Sequence, residues 1–465
     1  MFLKSSIKQF PDYNTFMPEY FRHEIIPDIL NISHSELKAL FAIDLKLVLE
    51  LLGIYDKDLF IKILRNQIKI SKELGKALIK YHGKLREYSD ELQEHLSSLI
   101  NNYGHTIIGT NDSIDEVIKG LQKLDRFPIY DLEIKINNQV YIKSATHLTT
   151  PINYWFPEVY STKVSNPTSV METIKDKDKF YNAIFRMVVL DSFKQGKINS
   201  EALISTWLIT KLKIVNGNQI AYNFPVIVAK WIYTKALGQD KFANDKVLYV
   251  GDLSMGWGGR LVGLVSSMSI ESPLAFRKVR LIGTDVNTTI TKRYKRINNF
   301  YRKFISPEID FKMYNSTTPA ERIFDDTMFL KGKGRLHFIF TSPPYFNKEK
   351  YSEDANQSYI QYSNYENWRE GFLRPMLTNA YELLRNGGEC WINIADIKEG
   401  KKIYPLEKDT VDIAKEIGFK HNDTYFMLMG IVPGTKKKGN ISNSQKEVFI
   451  NGSLQKYEPI FLFEK

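Results

Sequence analysis

The chain of 465 residues holds a single cysteine, Cys390. One thiol excludes an internal disulfide and argues against a cysteine-based metal site. Long apolar runs are also missing. No stretch has the length needed to cross a bilayer, and no apolar segment follows Met1-Phe2-Leu3-Lys4 to make a secretory leader. The histidines, His105 and His147 among them, lack metal-ligand spacing. No internal repeat or low-complexity tract interrupts the text. These absences point to a soluble cytoplasmic protein, nucleoid-associated in a bacterium or phage, with no membrane partner. Acidic residues are in deficit: 53 Asp and Glu face 64 Lys and Arg, for a net charge of +11. That excess favours a polyanionic partner, although a merely soluble surface has the same composition. With 43% hydrophobic residues the chain can bury a real core, and its length suits two or three domains.

Ser33 to Ile100 reads as helical: Leu37, Leu40, Phe41, Leu45 and Val48 recur at helical spacing, as do Ile61, Leu64 and Ile68. Ile129 to Ile136 alternates, Asn137-Asn138 can turn, and Gln139 to Ile142 is strand-like, which predicts a β-hairpin. Asp176 to Val215 is helical again. From Asp245 the period changes. Five short apolar strands are predicted at Val247–Val250, Val279–Asp285, Ile309–Tyr314, Leu336–Phe340 and Gly388–Ile394. Helical text separates them at Arg260–Ser269, Thr288–Phe304, Ala320–Leu330 and Glu366–Leu384, and Lys420–Met429 and Glu458–Phe463 read as closing strands. Such alternation predicts a parallel, doubly wound α/β sheet.

Ligands of an open parallel sheet sit beyond the strand carboxyl ends, so those ends carry the argument. The first runs into Gly251-Asp252-Leu253-Ser254-Met255-Gly256-Trp257-Gly258-Gly259, a glycine-rich turn that lets backbone pass close to a ligand. The second ends in Asp285, whose carboxylate can accept hydrogen bonds from ribose hydroxyls or cap the next helix. The third ends in Asn315-Ser316, which suits an adenine edge or a helix cap. The fourth ends in Thr341-Ser342-Pro343-Pro344-Tyr345. Two prolines fix φ twice and remove two donors, and Ser342 is forced out of the helical region. The result is a stiff corner presenting acceptors and an aromatic ring, which an exocyclic base amine and its ring would need.

Here the sequence resembles the amino-methyltransferases of DNA, the N4-cytosine and N6-adenine enzymes. Ser342-Pro343-Pro344-Tyr345 matches their (Asp/Asn/Ser)-Pro-Pro-(Tyr/Phe/Trp) signature, and Asp252 to Gly258 resembles their cofactor motif. Asn223-Phe224-Pro225-Val226, Leu383 to Gly388 and Tyr457 to Phe463 resemble their cofactor-flanking segment, the turn before the fifth strand and the last strand. The resemblance spans about Asn223 to Lys465. Ser254 stands where the family has Phe, and Gly259 where it has Thr. The resemblance implies a Rossmann-like seven-stranded methyltransferase sheet in residues 223–465. It follows a mainly helical region, 1–222, which carries the hairpin and is expected to recognise the target. It also implies S-adenosylmethionine as cofactor, held by Asp252, Ser254, Gly256, Gly258, Asp285, Asn315, Phe224 and Pro225. Ser342, Pro343, Pro344 and Tyr345 form the catalytic corner.

The implied activity is methylation of the exocyclic amine of a base flipped out of double-stranded DNA. The serine variant leans toward N4-cytosine, with N6-adenine the nearest alternative. RNA or protein-amide methylation, and a non-catalytic cofactor-binding protein, are further alternatives. In this reading the Tyr345 ring, not its hydroxyl, holds the base. The segment 347–365, with Lys348, Tyr351, Tyr359, Tyr362 and Tyr365, is expected to form a lid. Lys436, Lys437 and Lys438 between glycines suit a loop on DNA phosphates, or a plain solvated loop. Thr288–Phe304 carries six cations, Lys292, Arg293, Lys295, Arg296, Arg302 and Lys303, some of which could face DNA but which read by default as a solvated face. A cognate restriction nuclease is a possible partner of this class. Trp155 and Tyr160 read as packing residues before base-stacking ones.

Overall fold

The computed structural model describes residues 114–156, 161–164, 168–181, 223–347, 349–350, 355–399, 402–429, 447–450 and 453–465, with a few positions between 89 and 97. Most of the helical text expected at 33–100, and that of 182–215, lies outside the described residues. The chain divides into two compact units: residues 1–113 with 160–220, and residues 114–159 with 221–465. In the first, helix Val170–Lys175 opens on a capping box. Ser169 accepts from the Glu172 amide at 3.1 Å, and the Glu172 carboxylate accepts from the Ser169 amide at 2.8 Å.

The second unit begins with α1, Ile114–Arg126, and a hairpin of β1, Glu133–Ile136, and β2, Gln139–Ile142. Asn137 and Asn138 take φ of 49° and 64° at the turn, the left-handed pair that matches a two-residue loop to strand twist. The strands that follow are β3 Val247–Asp252, β4 Lys278–Thr284, β5 Asp310–Ser316, β6 Leu336–Thr341, β7 Leu384–Asn393, β8 Lys420–Leu428, β9 Glu447–Ile450 and β10 Ser453–Glu464. Among the described residues all ten form one sheet in the order β1-β2-β8-β10-β7-β6-β3-β4-β5, with β9 paired to β10. The strands from β3 to β7 pair in parallel, while β10 runs antiparallel to β7 and β8. This is the expected Rossmann-like sheet of seven strands, widened by the hairpin and β9.

Residues 114–159 stand with 221–465, whereas the sequence reading grouped them with 1–222. The reason is visible in β2, which runs parallel to β8 with Tyr141 opposite Phe426 and Ile142 opposite Met427. Tyr141 stacks on Phe426 at 5.2 Å and meets Tyr457 edge-on at 5.4 Å. Alternation in a sequence shows that one face of a strand is buried, not which strand will bury it.

Helices cover both faces: α2 Val226–Leu237, α3 Gly259–Ser266 and α4 Thr288–Phe304 on one, α5 Arg374–Leu383 and α6 Leu406–Ile417 on the other. All six residues of β6 are buried, as a parallel strand between two helix layers requires. Phe338 and Phe340 enter one core, and Ile339 enters the other. Two predicted helices are broken. Asp326 ends a short 3-10 segment and accepts from the Met328 amide at 2.8 Å, so helix Thr327–Lys331 starts afresh. A π turn, Arg369–Leu373, interrupts the helical text before α5.

Helix α2 is buried at every position but Lys235, and a second lysine, Lys230, is among the buried residues. The Lys230 ammonium donates to the carbonyls of Leu124 at 3.0 Å and Asp125 at 2.6 Å, the open C-terminal end of α1. Burial pulls its pKa down to about 8.

Candidate active site at the strand carboxyl ends

The chain moves outward from β3 to β4 and β5, then returns to place β6 on the other side of β3. Strand order reverses between β3 and β6, and crevices form at such switch points. The turn after β3 and the proline corner after β6 are therefore brought to one place.

The turn is held from three directions. Gly256 and Gly258 take φ of 59° and 77°, which a side chain would strain. A Cβ at Gly258 would also lie 2.8 Å from the Phe156 ring. The Gly256 amide donates to Asp285 at 2.7 Å, and its carbonyl accepts from the Tyr294 hydroxyl at 2.6 Å. Asn223 accepts from the Gly259 amide at 3.0 Å and donates to the Trp257 carbonyl at 2.8 Å. Sequence reasoning carried Asn223 only as part of a resemblance and missed Tyr294, which looks like any apolar helix position.

The two aspartates differ in kind. Asp252 is buried and tied to Arg260, with Nε–Oδ2 at 2.9 Å, and accepts from the Ser254 amide at 3.1 Å. Burial is the largest influence on the Arg260 cation and works against it, but the charge and hydrogen bond of Asp252, with Tyr233 and Tyr294 nearby, together hold Arg260 above the ordinary guanidinium value. Asp252 thus anchors the turn from inside, and Arg260 is the partner the sequence reading overlooked. Asp285 is half-buried and accepts from the amides of Gly256 at 2.7 Å and Asn287 at 3.0 Å. An ionised carboxylate has about four lone-pair sites, so Asp285 keeps acceptor capacity for a pair of hydroxyls. Burial pushes it up to about 6, against the pull of the two amides.

The remaining cofactor candidates surround this pair. Ser254 turns its hydroxyl to the Leu253 carbonyl at 2.8 Å. No aromatic ring stands at that position, but half-buried Phe224 lies 5.2 Å from Phe340 with the Arg260 guanidinium 5.9 Å from its ring. Pro225 caps α2. Asn315, at the end of β5, donates to the Thr291 carbonyl of α4 at 3.2 Å.

At the corner, Ser342 Oγ donates to Asn393 Oδ1 at 3.3 Å, and Asn393 Nδ2 donates to the Pro459 carbonyl at 2.9 Å. The second bond fixes the amide orientation. Tyr345 is 7% exposed, and its hydroxyl reaches Asn393 Oδ1 at 3.3 Å and Glu458 at 3.1 Å. The sequence reading gave the tyrosine hydroxyl no work; the structure bonds it to two residues. Asn393 and Glu458 were missed, although a polar residue ending the apolar run Cys390–Ile392 was a usable signal. Phe346, at φ 41°, folds back among Tyr365 and Tyr404 at 5.6 and 5.2 Å.

Of the expected lid, Tyr362 and Tyr365 are tied to the body of the unit, donating to the Gly371 carbonyl at 2.9 Å and Asp409 at 2.7 Å. Lys348, Tyr351, Tyr160 and the loop with Lys436, Lys437 and Lys438 lie outside the described residues. Trp155 is packed edge-on against Phe300 at 5.1 Å. Cys390 is buried in β7, where burial pushes its thiol far up. Among the described residues no cluster of His, Cys, Asp and Glu suits a metal, and no helix is long and apolar enough to cross a membrane.

A type II methyltransferase of Methanocaldococcus jannaschii, M.MjaVI, is 34% identical over 114 residues, which cover 24% of this chain and 56% of that protein. The chain thus spans about half the length of this curated relative. Two solved structures align more loosely. One is a candidate DNA modification methylase from Thermus thermophilus in complex with S-adenosyl-L-methionine. It is 19% identical with TM-score 0.21, over 29% of this chain and 48% of that one. A candidate methyltransferase from Bacillus halodurans is 12% identical with TM-score 0.29, over 48% of this chain and 94% of the other. The sequence profile of the DNA methylase family, the N6- and N4-methyltransferases, matches residues 336–465. That span runs from β6 through the proline corner to β10, so it is this part of the chain that is similar to the DNA methylase family.

Proposed function

We propose that the chain is a site-specific, S-adenosylmethionine-dependent DNA methyltransferase acting on an exocyclic base amine, with N4 of cytosine preferred over N6 of adenine. The observation that carries this reading is the corner Ser342–Tyr345, itself within the segment that matches the DNA methylase family, set beside the glycine turn at the switch point. The residues present suit the cofactor: two positive-φ glycines bring backbone close, and Asp285 keeps acceptors for hydroxyls beside it. When bound, S-adenosylmethionine supplies an electrophilic methyl group. Asp285 and Asn315 would hold its nucleoside end, with Phe224 and Pro225 along its side.

The chain's own groups then orient the amine. Because Ser342 gives its proton to Asn393, its oxygen turns lone pairs outward to accept from the amine. The corner carbonyl accepts a second hydrogen, and the stiffness of Pro343 and Pro344 sets both acceptors before the base arrives. Tyr345 backs the flipped ring, whose stacking on an aromatic is worth about 1–3 kcal/mol. Catalysis of this kind is proximity and orientation. Within residues 1–222, those outside 114–159 are proposed to choose the sequence, and a partnered nuclease belongs to the same proposal.

The test is transfer of labelled methyl groups to duplex DNA, with long-read sequencing to identify the modified base and its context. N4-methylcytosine at one recurring sequence is expected. N6-methyladenine would replace the cytosine preference, and no transfer by a chain that binds cofactor and DNA would end the catalytic reading.

A further inference from the structure

Helix α4 concentrates positive charge. Its 17 residues include six cations and no acidic residue. Arg293 alone turns inward, donating to the Trp155 carbonyl at 2.6 Å. Lys292, Lys295, Arg296, Arg302 and Lys303 are exposed. At 3.6 residues per turn the five fall within an arc of about 120°, opposite the buried Ile290, Tyr294, Ile297 and Tyr301.

Some other cations of this unit stand beside acids. Lys333 meets Glu382 at 2.5 Å, Arg374 meets Glu416 at 2.7 Å, and Lys408 meets Asp412 at 2.5 Å. None of the five on α4 makes an ion pair with a described residue. Like charges at i,i+3 and i,i+4, as at Lys292, Lys295 and Arg296, destabilise a helix. The helix dipole accounts for cations in the last turn only, Arg302 and Lys303, and disfavours Lys292 nearer the N-terminus. Local stability therefore does not explain the pattern. At its far end Asn299, Arg302, Lys303 and Pro307 line a shallow depression of about 270 Å³, and each of its three polar side chains carries hydrogen-bond donors.

We propose that this face of α4 lies along the phosphate backbone of duplex DNA, as a contact separate from the catalytic corner. The inference rests on the DNA reading of that corner. From Lys292 to Lys303 the helix rises about 17 Å. One DNA strand presents a phosphate about every 3.4 Å of its axis, so the stripe of five cations spans about five phosphates. The stripe positions the duplex and reads no bases.

The full chain and its K295Q/R296Q/R302Q variant are titrated with a 24-base-pair duplex by fluorescence anisotropy between 50 and 200 mM salt. Each lost contact should flatten the slope of log K against log salt by about 0.9, so the triple variant should flatten it by about 2–3 units with cofactor binding unchanged by calorimetry. K408Q/K415Q/K420Q, which removes equal charge from the opposite helix layer and the start of β8, should leave the slope alone. An unchanged slope in the α4 variant overturns the proposal, as does equal flattening by the second variant. Stripe-dependent binding of single-stranded RNA but not of the duplex also overturns it. Methyl transfer to the same duplex is read in parallel. A chain that binds through the stripe but never methylates sustains this inference and sinks the catalytic one. A methylating chain whose slope ignores the stripe does the reverse.

Discussion

Asn393 is the residue on which the corner turns. Its amide accepts from Ser342 and Tyr345 while its nitrogen is held by the Pro459 carbonyl. Asn393→Ala should lower kcat on the order of 10²-fold, the cost of a misplaced reacting group, with cofactor affinity preserved. Single-turnover methylation beside calorimetry checks this; an equal loss in both would mean general damage. Tyr345→Phe keeps the ring but strips a donor from Glu458, a bond to a charged group worth about 1.5–3 kcal/mol. A lower midpoint in urea, with base stacking largely kept, is the expected signature. Asp285 supplies a pH dependence. Its folded-state pKa is raised from 3.8 to about 6, so the stability it contributes is present below 3.8 and lost as pH rises through about 6. Ligand binding runs the opposite way, because accepting from two hydroxyls needs the ionised form. Cofactor affinity should fall as pH drops below about 6, and Asp285→Asn should bind weakly with that dependence gone. Calorimetry at pH 5, 6 and 8 decides it, and an equal dependence in the variant would remove Asp285 from the site.

At the level of elements, burial patterns made most of the second unit legible. Helix Thr288–Phe304 runs with the bounds its periodicity predicts, because six buried positions recur along one face. Strands β3 to β7 were readable as apolar runs punctuated by polar ends. What could not be read was pairing at a distance. The hairpin at 133–142 announced itself through Asn137-Asn138, yet nothing local says that Tyr141 will lie against Phe426. Likewise the corner tetrapeptide was legible, but Asn393 and Glu458 reach it from strands β7 and β10. Lys230 is the clearest such case. Nothing local to Lys230 names its partner, yet it closes the carbonyl end of α1. Lys230→Met should fill the space and take its donor from the Asp125 carbonyl, at about 1–3 kcal/mol, while the Leu124 carbonyl keeps the Phe127 amide. Chemical denaturation with the slope held constant would show it, and an unchanged midpoint would mean that water replaces the ammonium.

At the scale of the whole chain, the second unit is discontinuous in sequence, joining residues 114–159 to 221–465. Leu121, Leu124, Ile142, Ile152 and Phe156 belong to the same apolar core as α2, α3 and α4. A fragment of residues 223–465 would lose them all, and should not melt cooperatively by circular dichroism. Residues 114–159 joined by a flexible linker to 221–465 should restore a single transition; two equally sharp melts would contradict the shared core. The pairing of β2 with β8 adds a matter of timing. Ser144 bonds the Leu428 carbonyl across 284 positions of chain. At roughly 5–20 residues per second, synthesis leaves the hairpin waiting tens of seconds for its neighbour. During that interval Tyr141 and Ile142 have no sheet to join, and any product halted before Phe426 keeps them in water for as long as it lasts.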